Sequence, residues 1–122
     1  MNRKIPAWFA LVVLSTMLTL VGCKSYWINA DVVNETGQPI HQLEVAYPTA
    51  SFGTNILAPG ATMHYRLQVR GSGPMKVEYS TPDGKITHAE GATLSEQQQG
   101  IVTIRLQPAG KIEFLPRLEP IH

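Results

Sequence analysis

Among side chains able to act as nucleophile, metal ligand or proton carrier, the 122-residue chain offers one cysteine, Cys23, and four histidines, His41, His64, His88 and His122. No two histidines have the spacing that puts two imidazoles on one helix face, and no cysteine stands near them, so helix-borne metal chemistry has no support. His88 and Glu90 are two residues apart, which on a strand places both on one face. With a cross-strand His64 they compose one conceivable set for zinc or copper binding, or for hydrolytic acid–base work. The plainer reading is polar residues on a solvated sheet face, with no metal and no cofactor, and that is the one we adopt. Nucleophilic hydrolysis lacks its elbow, since Gly71-Ser72-Gly73 has the wrong spacing and reads as a flexible turn. Nine carboxylates are scattered along the chain and nothing selects a catalytic pair from them. No glycine-rich loop leads into a helix to cradle phosphate. The expectation is a protein without catalysis.

Cys23 stands at the end of an apolar run, Ile5 to Gly22, preceded by the positives Arg3 and Lys4. A charged region followed by an apolar one is the layout of a secretory signal, here a helix over residues 1–22. A run of about 18 apolar residues can also span a bilayer. Ser15, Thr16 and Thr19 weaken that alternative, and Pro6 disfavours its first turn. More telling is the ending: Leu20-Val21-Gly22-Cys23 resembles the lipobox of bacterial lipoproteins. The resemblance implies cleavage between Gly22 and Cys23, a diacylglycerol on the Cys23 thiol and acylation of the new amino group. Small Gly22 admits the peptidase, and the thiol forms the thioether. Two or more acyl chains give lasting attachment at ~0.8 kcal/mol per buried CH₂. The implied partner is membrane lipid, through acylated Cys23. Lys24 is not the aspartate that signals inner-membrane retention in the enterobacterial sorting system. The resemblance thus points to the periplasmic side of the outer membrane in a host with two membranes.

Cleavage leaves residues 23–122, one domain of common size. It removes Arg3 and Lys4 from ten basic residues and none of the nine acidic ones, so the formal charge falls from +1 to −1. No basic stripe exists, which argues against nucleic acid. With Cys23 acylated there is no disulfide, so stability must come from apolar burial and sheet hydrogen bonds. Residues 23–25 form a very short tether, which holds the domain close to the bilayer. Tyr26 and Trp27 are either core residues or headgroup contacts, and core packing is the reading we adopt.

The rest alternates with a period of two, the mark of strands with one wet face. Tyr26–Asn34 is a first strand. Leu43, Val45 and Tyr47 share a face, as do Met63, Tyr65, Leu67 and Val69. Met75, Val77 and Tyr79 form a third such set, and Val102, Ile104 and Leu106 a fourth. Weaker runs lie at 55–58, 85–90 and 111–115. Pro82-Asp83-Gly84 has the residues of a tight turn and should join strands 75–79 and 85–90 in a hairpin. Leu94–Gly100 could form a helical turn capped by Ser95. The tail, residues 116–122, carries two prolines and should lie extended outside the sheets. About seven short strands over residues 26–115 predict an all-β fold. Its layout, with Leu57-Ala58-Pro59-Gly60 feeding an alternating strand, is similar to bacterial immunoglobulin-like and fibronectin-like β-sandwiches.

One segment, Tyr47 to Asn55, joins aromatics to small polar residues. Exposed, it would be a binding loop using Tyr47, Phe52 and Asn55 as contacts. Buried, it is a sandwich edge with Phe52 in the core, which the apolar ring favours. The expected function is a membrane-anchored module that binds an envelope protein or supports an envelope assembly. The metal-binding or hydrolytic set of His64, His88 and Glu90 is the alternative. A carrier of small apolar ligands would need an interior cavity that so short a chain has little room for.

Overall fold

The computed structural model describes residues 26–120. The signal segment, Gly22, Cys23 and His122 lie outside the described residues. The described chain folds into eight strands: β1 Ile28–Asn34, β2 Ile40–Tyr47, β3 Ala50–Leu57, β4 Thr62–Leu67, β5 Gly73–Ser80, β6 Ile86–Leu94, β7 Gln98–Leu106 and β8 Ile112–Pro120. They form two four-stranded sheets, ordered β4-β1-β7-β8 and β3-β2-β5-β6. The expected all-β sandwich is thus present, with eight strands in place of about seven. No helix among the described residues is long and apolar enough to cross a membrane.

Alternation along each strand builds the core. Ile28, Ala30 and Val32 of β1 and Val102, Ile104 and Leu106 of β7 point inward from the first sheet. Val45, Met75, Val77 and Tyr79 meet them from the second. β1 runs antiparallel to β4 but parallel to β7, with Ala30 opposite both Tyr65 and Val102. Two bulges change which residues reach the core. Gln42, at φ 51°, shifts the register of β2, so that Ile40 and Leu43 are both buried although three apart. Ala92, at φ 49°, does the same in β6 and turns Leu94 inward.

The Pro82-Asp83-Gly84 hairpin forms as expected. Ser80 faces Ile86 across it, Gly84 takes φ 85°, and Asp83 Oδ1 accepts hydrogen bonds from the Thr81 hydroxyl and the Lys85 N–H. Two expectations are corrected. Ser95 caps no helix: Leu94 ends β6, Gln98 opens β7, and the Gln98 side chain accepts a hydrogen bond from the Ser95 N–H at 2.9 Å. The tail does not lie outside the sheets either. It forms the second half of β8, pairing Pro116 with Val102 and Pro120 with Gln98. Proline is tolerated because β8 is an edge strand. The two prolines share parity, so both can sit where an N–H would point away from the single neighbouring strand.

Two contacts close the open sides of the sandwich. On one side Phe52 of β3 meets Tyr65 of β4. On the other, Phe114 of β8 lies over Gly91 of β6, where a Cβ would come within 2.6 Å of the ring. Gly91 is thus the gap that the Phe114 ring fills.

Candidate functional site

The residues proposed as a binding loop are a hairpin and a strand. Tyr47 and Ala50 are paired across the two-residue turn Pro48-Thr49, and Phe52 to Asn55 belong to β3. Phe52 points into the sandwich and is 8% exposed, so it is a core residue and not an open contact. Its ring stacks on Tyr65 with centroids 4.2 Å apart and planes 7° apart, while Tyr47 sits tilted at 6.3 Å. Burial, and then the neighbouring Tyr65 hydroxyl, push the Tyr47 phenol above its ordinary value. Tyr47 is half-buried and Asn55 is exposed on the outer side of β3.

His88 and Glu90 do share a face, as their spacing demands. They look outward from β6 onto a shallow groove of about 320 Å³ that Glu44, Ala46, Lys76 and Glu78 also line. The ladders place Glu44 beside Glu78 and Glu78 beside His88 in one cross-strand row, with Lys76 beside Glu90 in the next. His64 is not among them, which corrects the cross-strand expectation. It sits on β4, in the other sheet and on the opposite flank, because β4 adjoins β3 whereas β6 adjoins β8. Its Nδ1 lies 2.6 Å from Asp31 Oδ1, directly across the β1–β4 ladder. The imagined triad is therefore split between two sheets. Among the described residues no three histidine, cysteine or acidic side chains converge as metal ligands do. The groove on the second sheet offers hydrogen bonds and charge to a partner lying across it.

The outer face of the first sheet is chemically different. Its cross-strand row nearest the start of β1 reads Arg66, Asn29, Ile101, Arg117. The Arg66 guanidinium lies over the Trp27 ring, 4.3 Å from the centroid. Trp27 is thus half-buried on the outer face and not a core residue, which corrects the expectation for it. At the far end of the same face Arg105 donates twice to Glu35, at 2.7 and 3.1 Å, and approaches Glu113 at 3.8 Å. Glu35, by hydrogen bond and then by charge, raises the Arg105 pKa.

Sequence reasoning missed Asn34, a fully buried polar residue closing β1. Its Nδ2 donates to the carbonyls of Gln38, Leu57 and Ala58 at 2.8, 2.9 and 3.2 Å, and its Oδ1 accepts from the Thr36 N–H and hydroxyl. The available signal was an asparagine two residues before a threonine and three before a glycine, the composition of an Asx turn.

No family model matches the chain, and a search of curated proteins returns no match. Among solved structures it is similar to the NMR structure of a protein from Eubacterium rectale. The two are 14% identical, the match covers 77% of this chain and 93% of that one, and the TM-score is 0.55. At that identity the likeness bears on the fold alone.

Proposed function

We propose that the protein is a membrane-anchored lipoprotein whose β-sandwich binds a protein partner in the cell envelope and carries out no catalysis. The observation that carries this reading is the Leu20-Val21-Gly22-Cys23 stretch five residues ahead of β1, which leaves a tether too short to release the domain from the bilayer surface.

The partner contact follows from the sheet edges. An edge strand offers unpaired backbone groups to an incoming strand. Two prolines interrupt β8, and β4 is only six residues long. β3 and β6 both lack proline and lysine and expose an isoleucine, Ile56 at 58% and Ile86 at 62%, and β6 is the longer by one residue. It also borders the groove of Glu78, His88 and Lys76, which would receive polar side chains of an added strand. A photo-crosslinking residue in place of His88 in intact cells tests this. A discrete protein adduct is expected there, and weaker or no adduct from Asn55 on β3. Adducts at neither position would overturn the partner reading.

A further inference from the structure

We infer that the outer face of the first sheet, at its Trp27 end, is a docking surface for anionic phospholipid headgroups. The proposal rests on the anchor reading and names the surface by which the tethered domain leans on its membrane. Cys23 lies four residues from Trp27, so a fully extended tether reaches at most about 14 Å. The Trp27 end of the sandwich is therefore held within headgroup distance, and what remains open is which face turns toward the lipid.

Charge decides between the faces. The outer face of the second sheet presents Glu44, Glu78 and Glu90 against Lys76, a poor match to phosphate. The first sheet presents Arg66 and Arg117 at the two ends of one row, both exposed, with no carboxylate in ion-pair distance among the described residues. Arg105, farther from the tether on that face, is already neutralised by Glu35. Unpaired arginines thus sit at the tethered end and the paired one at the far end.

The surface is also built for an interface. Between the two arginines lies an open hollow of about 390 Å³ bordered by Trp27, Asn29, Ile101, Arg117 and Glu119. Ile101 is 43% exposed, and Leu115 beyond it 40%. Indole and guanidinium groups beside aliphatic side chains match the headgroup layer, where rings settle and basic residues meet phosphate. Glu119 at the rim opposes the attraction, as does Asp31 one row farther in, whose carboxylate is held by His64, so the positive charge belongs to the Arg66–Asn29–Ile101–Arg117 row alone.

After cleavage at Cys23, Trp27 is the one tryptophan of the chain, because Trp8 leaves with the signal. The native acylated protein is reconstituted in vesicles of phosphatidylethanolamine and phosphatidylglycerol, with and without bromine high on the acyl chains. Trp27 emission should be quenched by the brominated lipid. In an Arg66→Glu/Arg117→Glu variant the docked-to-undocked ratio should fall, by at least roughly fivefold for each arginine lost, the added carboxylates increasing the loss. A Lys85→Glu/Lys111→Glu control, altered at the far end, should quench like the parent. Thermal melting of each variant establishes that it is folded. Equal quenching in parent and arginine variant, or none in an acylated parent, overturns the docking surface and leaves the anchor standing. A native protein without acyl mass overturns the anchor itself, and the docking proposal with it.

Discussion

Phe52 of β3 and Tyr65 of β4 stack nearly parallel at 4.2 Å, joining the two sheets along a flank where no backbone ladder connects them. The ring buries what the strand edges would otherwise expose. Replacing Phe52 with Ala should cost about 3–5 kcal/mol. In a domain of this size that lowers the melting temperature by well over ten degrees, at roughly 4–8 °C per kcal/mol. Tyr65→Ala, at a residue 40% exposed, should cost clearly less. Thermal denaturation of the two variants checks this, and an unchanged melting point for Phe52→Ala would contradict the core assignment.

Asn34 ties the end of β1 to two other segments, the turn at Gln38 and the chain leaving β3 at Leu57 and Ala58. Asn34→Ala removes the amide donor from three carbonyls, of which Gln38 O keeps the Thr36 hydroxyl and Ala58 O keeps the Ala61 N–H, so the loss should be about 1–3 kcal/mol in total, centred on the buried bond to Leu57 O. Asn34→Asp should fare little better, because a carboxylate cannot donate to those carbonyls. Urea unfolding measures both. Stability within 0.5 kcal/mol of the parent, the usual scatter of neutral surface changes, would show the network to be dispensable.

Asp83 gives a pH dependence of known sign. The Thr81 hydroxyl first, and the Lys85 N–H second, hold its carboxyl below the ordinary value of 3.8. A carboxylate with a depressed folded pKa stabilises the fold above the unfolded pKa, and that contribution is lost as pH falls through the folded value. The turn is open to solvent, so the effect is local. An NMR titration should place the Asp83 midpoint below 3.8, and Thr81→Val should move it upward. A midpoint at or above 3.8 in the parent would contradict the turn geometry.

Period-two alternation made the central strands legible, because β1, β2, β5 and β7 each bury one face. The turn at Pro82-Asp83-Gly84 was legible for a separate reason: its three residue types each favour the backbone that a tight reversal needs. β8 was obscured by Pro116 and Pro120, since proline argues against a strand only when the strand is central. The Gln42 and Ala92 bulges left no mark, because positive φ at a non-glycine residue is imposed by the surrounding ladder and not by local preference. Sheet assignment was equally hidden. That His88 and Glu90 share a face follows from spacing, but that His64 lies in the other sheet follows only from the crossover order of the strands. The Arg66–Trp27 stack joins residues far apart in sequence and had no local signature.

Attachment to the bilayer depends on Cys23 being cut free from Gly22 and acylated. Intact mass spectrometry of the native protein, extracted with detergent from membranes, tests it most directly. The expected species is a chain beginning at Cys23 and carrying the added mass of a diacylglycerol, with that mass absent from a Cys23→Ala variant. A native chain that retains Met1 and carries no acyl mass would contradict it.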